Sequence, residues 1–244
     1  MIEPTLPLAF LGSFTGAFDF ILHQREAVTG GGVPVGGPGQ VWHLARAQLE
    51  VSGIALAGAI AIAMPVGLIM GHWGKGELLA VGAGNAGRAV PEIAVIFLLA
   101  SLIGIGLRNV SIALMVLGIP PILANTFVAV RQVEPNAVDA ASGMGMNGAQ
   151  VIARVELPLA APTIMTGVRT AAINVIATAT IASFVGYSDL GDLIIGRNVY
   201  GDDGVIAGAI AVAMIVIAVE LVLAGVQALV TPRGLKLQRA REAA

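Results

Sequence analysis

The chain has 244 residues, 57% of them hydrophobic and only 11% charged, with a mean hydropathy of +0.88 and a formal net charge of -2. A soluble domain carries about 25% charged residues, so this inventory cannot cover a water-facing surface, and the class is an integral membrane protein. The absence of cysteine excludes disulfides, thiolate metal sites and cysteine nucleophiles.

The apolar runs are continuous rather than alternating, which predicts an all-α membrane protein rather than a β-barrel. No cleavable signal is expected, because the first residues have no basic n-region. Residues 4–22 (PTLPLAFLGSFTGAFDFIL) approach the roughly 17–25 residues needed to cross a bilayer. Asp19 and two prolines leave two readings open, a sixth transmembrane helix or an interfacial one. The run GGGVPVGGPGQ reads as an irregular linker, so 1–41 forms an N-terminal segment and WHLARAQLE an amphipathic lead-in to the membrane domain at 42–234. Five core spans are expected at about 51–71, 89–107, 110–130, 162–186 and 204–230, with a tight turn at Arg108-Asn109 and a basic tail at 235–244.

Basic residues favour the cytoplasmic side. With five alternating spans, the side holding the 131–161 loop carries Lys75, Arg88, Arg131, Arg154, Arg233, Lys236, Arg239 and Arg241, and the other side carries Arg25, Arg46, Arg108 and Arg197. Eight against four places the loop and the C-terminus in the cytoplasm.

Between the third and fourth spans, Arg131–Pro162 is too polar for lipid. Pro135 suits a first helical turn, Asp139 near it complements the helix dipole, and Ala140 and Ala141 form helix while leaving the backbone approachable. Gly143 and Gly145 break the helix. Asn147 caps a second helix over about 148–157 that stops near Pro158. On physics alone such a segment is either a plain connector or a knob offered to a partner.

The order Asp139-Ala140-Ala141, then Gly145, then nine residues, then Val155-Glu156-Leu157-Pro158 resembles the EAA loop of ABC importer permeases. Asp139 stands for Glu and Val155 for Ile. From about Trp42 to Gly234 the chain is similar to permeases of the glycine betaine/carnitine/choline (osmoprotectant) importers. The matching phrases include VPEIAVIFLLASLIGIG, IPPILANT, DAASGMGMN, VELPLAAPTIMTGVRTA, ATATIASFVG, LGDLI and VTPRG. Glu92 after Pro91 and Ala124 depart from the Ser and Arg common at those places.

The resemblance implies a polytopic helical bundle of the type I ABC importer permease architecture and a transport subunit rather than an enzyme. It implies a coupling loop formed by Asp139, Ala140, Ala141, Gly143, Gly145, Leu157 and Pro158, which docks on a separate ATPase. It also implies as partners two ATPase copies, a second permease (identical or homologous), an extracytoplasmic substrate-binding protein and the bilayer of a bacterial inner membrane. ATP and magnesium belong to the ATPase, since this chain has no Walker loop, and no cofactor or metal is expected here. The solute would be an osmoprotectant of the glycine betaine, choline, carnitine or proline betaine class. The alternatives are an importer for another small solute such as an amino acid, or a stand-alone secondary transporter or channel. Nucleic acid has no basic surface to bind.

Ionisable groups within spans are functional candidates. Glu92 either contacts a cationic solute or lies at the interface, and Glu220 can pair with a polar neighbour. Asn174 and Thr178 are pathway candidates, although Thr180, Ser183 and these two are more simply read as helix–helix contacts. Arg169 is expected to snorkel or to pair with Glu156. The segment 187–203 is an outer gate or an ordinary loop. Gly67-x3-Gly71 and Gly204-x3-Gly208 permit close packing but arise easily by chance among 32 glycines. The aromatic content of 5% argues against a high-affinity aromatic cage in this subunit.

Overall fold

The structure is a computed structural model that describes residues 6–29, 31–80, 82 and 91–232. The basic tail at 235–244, Arg88 and Arg233 lie outside the described residues. In chain order the elements are α1 (Leu6–Leu22), β1 (Gln24–Glu26), β2 (Pro34–Gly36), α2 (Gly37–Trp73), α3 (Glu92–Ile103), α4 (Leu107–Arg131), α5 (Pro135–Gly143) and α6 (Gly148–Val151). A π-helical turn (Ile152–Glu156), α7 (Leu157–Ala179), a 3-10 helix (Thr180–Val185), α8 (Gly191–Ile195) and α9 (Arg197–Val230) complete it. Among the described residues, four stretches are long and apolar enough to cross a membrane: Gly37–Trp73, Leu107–Arg131, Gly148–Val185 and Arg197–Val230.

Several boundaries differ from the sequence expectation. The lead-in and the span expected at 51–71 are one helix of 37 residues, because nothing between Gly37 and Trp73 interrupts it, and Pro65 is accommodated inside. The span expected at 89–107 is described as a 12-residue helix. The turn after it falls at Gly104 and Gly106, both with positive φ, and Arg108 already lies inside α4. Part of the expected irregular linker is a strand: β1 and β2 pair antiparallel, with Arg25 opposite Val35.

The chain divides into two compact units. The first comprises Met1–Ile54, Ile93–Leu114 and Ile176–Ala218. Its core gathers Ala17 and Phe20 of α1, Val35 of β2, Leu44 and Ala45 of α2, Leu190, Leu193 and Ala207. The apolar centre of the 187–203 segment is therefore folded inward, and Leu190 and Leu193 are fully buried. Two polar contacts tie the start of α2 to this segment and to the end of α7: Gln48 Nε2 donates to the Ile176 carbonyl at 2.7 Å, and Tyr187 Oη donates to the Ala47 carbonyl at 3.3 Å.

The second unit comprises Ala55–Glu92, Met115–Val175 and Val219–Ala244. Ala59, Ala63, Ile122, Val168 and Ala171 form one cluster, and Ala129, Val130, Val133, Ala160 and Ile164 another. The Gly67-x3-Gly71 spacing is a packing device here. A methyl group at Gly67 would lie 2.7 Å from Thr126 Cβ, and one at Gly71 2.7 Å from Val130 Cβ. α2 and α4 thus approach more closely than any side chain at those two positions would permit, as small residues allow between membrane helices.

Candidate coupling loop and intramembrane polar groups

The loop after α4 is built from local signals that the backbone answers one by one. Pro135 occupies the first turn of α5, where a missing N–H removes no intrahelical bond. At the other end the Met146 N–H reaches the Ala141 carbonyl at 3.2 Å and the Gly145 N–H reaches the Ser142 carbonyl at 3.0 Å. These two bonds make a Schellman motif with Gly145 at C′, in the left-handed region at φ +85°. Nothing lies within 4 Å of where a Gly145 Cβ would stand, so the requirement for glycine is conformational rather than steric.

Asn147 then starts α6 with a complete capping box. Its Oδ1 accepts from the Gln150 N–H at 3.0 Å, and Gln150 Oε1 accepts from the Asn147 N–H at 2.9 Å. The expected stop at Pro158 does not occur. The π-helical turn carries the chain into α7, whose second residue is Pro158, a place where proline costs little.

One long-range contact holds the loop to the helix ends. His72, at the end of α2, has Nδ1 2.9 Å from both carboxylate oxygens of Glu156 on the π-helical turn. The Glu156 side chain is only 5% exposed and that of His72 17%. The other ring nitrogen of His72 stands 3.1 Å from where a Cβ on Gly148 would project, so α6 too is seated against this imidazole.

The predicted loop residues divide by exposure. Asp139, Ala140, Gly143 and Gly145 face outward on α5 and its corner, and Leu157 and Pro158 begin α7 half-buried and exposed. Ala141 is 2% exposed and packs inward, so it anchors α5 rather than presenting it. Met144, between the two glycines, is 73% exposed. The sequence reading did not single it out, although an apolar side chain flanked by glycines in a polar loop is a usable signal. His72 and Glu156 were also missed as a pair. They are 84 residues apart, and no spacing rule connects them.

The pathway candidates fall in different places. Glu92 is exposed in the first turn of α3, Asn174 is exposed on α7, and Thr178 is buried one turn further along. Glu220 of α9 pairs with Arg169 of α7, whose Nε donates to Glu220 Oε1 at 3.1 Å and whose Nη2 also donates to that oxygen. Arg169 further donates to Gln227 Oε1, and Gln227 Nε2 donates to the Pro162 carbonyl at 2.7 Å. Arg169 therefore takes Glu220 as its partner and not the expected Glu156, which His72 holds. The remaining polar group of note is Asp189, fully buried, which accepts from Ser183 Oγ and the Gly191 N–H, each at 2.8 Å. Burial pushes its carboxyl up to about 6, against those two hydrogen bonds, and the nearby Asp192 adds to the rise. Among the described residues, no group of three or more His, Cys, Asp or Glu is placed to hold a metal ion.

Comparison with known proteins identifies the family and the fold. The family described as binding-protein-dependent transport system inner membrane component matches residues 63–235. The choline transport system permease protein OpuBB of Bacillus subtilis is 36% identical over 205 residues, which are 84% of this chain and 94% of that one. The carnitine transport permease protein OpuCB of Listeria monocytogenes is 35% identical, covering 82% and 90%. Among solved structures, an inward-facing MetNI methionine ABC transporter chain superposes with a TM-score of 0.71 over 80% of this chain and 98% of its own, at 18% identity. An amino acid ABC transporter superposes at 0.53 over 94% of this chain and 97% of its own, at 14% identity. At such identities these two speak for the fold alone. This chain belongs to the family of binding-protein-dependent transport system inner membrane components.

Proposed function

We propose that the chain is the membrane subunit of an ATP-driven importer for osmoprotectants of the choline, glycine betaine and carnitine class. It carries no catalytic group of its own. The observation that bears most weight is the α5 corner: Asp139, Ala140, Gly143 and Met144 stand exposed on a segment fixed by a Schellman motif, a capping box and the His72–Glu156 contact. A segment built to be both exposed and rigid suits transmission of force from a partner.

In this reading a cleft on each of two separate ATPase chains receives one α5 corner. ATP and magnesium stay in that partner, whose closure moves the helices of this chain and of a second permease. An extracytoplasmic binding protein delivers the solute. The loop and the C-terminus then lie in the cytoplasm of a bacterial cell, as the distribution of basic residues supports. The names of the relatives, choline and carnitine permeases, support the solute class.

Uptake of labelled choline, glycine betaine, carnitine and a neutral amino acid tests it, in cells that lack other osmoprotectant importers and express this chain with its neighbouring ATPase and binding protein. Accumulation of the quaternary ammonium solutes alone supports the reading. Accumulation of the amino acid alone transfers the chain to another solute class while leaving the coupling role intact.

A further inference from the structure

A cavity of about 300 Å³ opens in the first unit among Phe20 of α1, Arg25 and Glu26 of β1, and Tyr200, Asp202 and Asp203 around Gly201. It exists because α9 is broken there: Gly201 sits at φ +69° and ψ -177°, outside the helical region, and splits the helix. The break turns Tyr200 on one side and two carboxylates on the other toward the β1–β2 hairpin.

The lining suits an organic cation. The Phe20 and Tyr200 rings meet edge to face with centroids 6.2 Å apart. Three carboxylates line the cavity: Glu26, Asp203, which pairs with Arg25, and Asp202, which pairs with Arg197 outside the lining. The Arg25 guanidinium already behaves as a bound cation. Arg25 Cζ lies 5.7 Å from the Phe20 ring centroid, Nη1 donates to Asp203 Oδ2 at 2.5 Å, and Nη2 donates to Asp19 Oδ2 at 3.1 Å and to the Gly16 carbonyl. Gly16 is required for this approach, since a side chain there would collide with the Asp203 carboxylate.

Arg25 fits its place imperfectly. Its Nε is buried without a hydrogen-bond partner, which carries a desolvation cost. A quaternary ammonium has no N–H to satisfy, and an aromatic face with a carboxylate beside it answers its needs fully. Arg25 is also held on a strand of three residues, and a two-stranded hairpin of that size is marginal by itself, so the guanidinium can withdraw without unfolding a helix.

We infer that this cavity is a low-affinity site for small organic cations of the quaternary ammonium type, with Arg25 as a tethered competitor that leaves Phe20 and Asp203 when the ligand enters. The inference rests on the proposed function only for choline as a probe, and binding to this chain needs neither the ATPase nor the binding protein.

The full-length chain in lipid nanodiscs is titrated calorimetrically with choline chloride, with tetramethylammonium chloride, and with 3,3-dimethylbutan-1-ol, the uncharged shape-mimic of choline, at constant ionic strength. Both cations bind and the alcohol does not. Arg25→Gln tightens both cations by about tenfold, the scale of one desolvated cation–π contact, and adding Phe20→Leu or Asp203→Asn cancels the gain. Should Arg25→Gln misfold, Glu26→Gln serves instead: Glu26 is exposed, and its loss weakens cation binding several-fold in a folded protein. Equal binding of the alcohol, or unchanged cation affinity in folded Arg25→Gln or Glu26→Gln, overturns the inference. Loss of uptake in cells with cation binding intact counts against the proposed function and leaves this site standing.

Discussion

His72 clamps the end of α2 to the π-helical turn that follows the 131–151 loop, its Nδ1 at 2.9 Å from both carboxylate oxygens of Glu156. The contact joins the last turn of one candidate span to the π-helical turn that opens another. In the proposed coupling role, movement passed through α5 and α6 meets this joint before it reaches α7. His72→Ala leaves a buried carboxylate without its partner, a loss on the order of 2 kcal/mol. The expected result is a lower unfolding midpoint in detergent together with weaker ATPase co-purification. In a double-mutant cycle, Glu156→Gln added to His72→Ala costs less than the sum of the two single changes.

The exposure of α5 separates two neighbouring alanines. Ala140→Arg leaves the melting temperature of the purified chain unchanged and abolishes capture of the ATPase, because Ala140 faces outward. Ala141→Arg forces a charge into a position 2% exposed and lowers the amount of folded protein instead. Paired measurements of melting and ATPase capture check both. A lower melting temperature in Ala140→Arg would remove α5 as a docking face.

Gly145 holds a positive φ with open space around it. Gly145→Val therefore costs about 1–2 kcal/mol of local backbone energy and loosens the corner without a clash. Uptake falls while membrane insertion is kept. Gly145→Asn, a residue that tolerates the left-handed region, retains more uptake than valine does.

Arg169 and Glu220 pair across α7 and α9, at 3.1 Å from Nε to Oε1. Glu220→Leu leaves a cation in a span with no carboxylate, and Arg169→Leu does the converse. Either change lowers the level of folded permease several-fold. The exchanged pair, Arg169→Glu with Glu220→Arg, recovers much of the loss. Recovery in the exchanged pair identifies Glu220 as a helix fastener and removes it from the solute pathway. Protein levels and uptake in the same membranes give the answer.

Asp189 makes the fold sensitive to pH. Its carboxyl titrates near 6 in the folded chain against an ordinary value of 3.8, so between those limits the folded state binds the proton that the unfolded state releases. Its contribution to stability is therefore fully present below the ordinary value of 3.8, is lost as pH rises through about 6, and is absent above. The size is about 3 kcal/mol. Asp189→Asn abolishes that slope. Unfolding midpoints measured between pH 4 and pH 8 on both proteins check the sign.

Much of this protein is legible without coordinates because the governing physics is local. Low charge with continuous apolar runs requires a lipid solvent. Pro135, Gly145 and Asn147 announce the start of α5, its end and the start of α6 through interactions that reach no more than five residues along the chain. The EAA spacing is legible for the same reason, since the corner it marks is a local object.

Tertiary structure decides what depends on distant partners. Only packing shows that Ala141 turns inward, that Arg169 takes Glu220 from 51 residues away and leaves Glu156 to His72, and that Gly67 and Gly71 face Thr126 and Val130. Local propensity had no access to these choices, because a side chain buried in a bundle answers to whichever neighbour the other helices bring within reach. The break at Gly201 belongs here as well. In the sequence it is one glycine among 32, and it acquires chemical meaning only where α1 and the hairpin bring Phe20 and Arg25 to it.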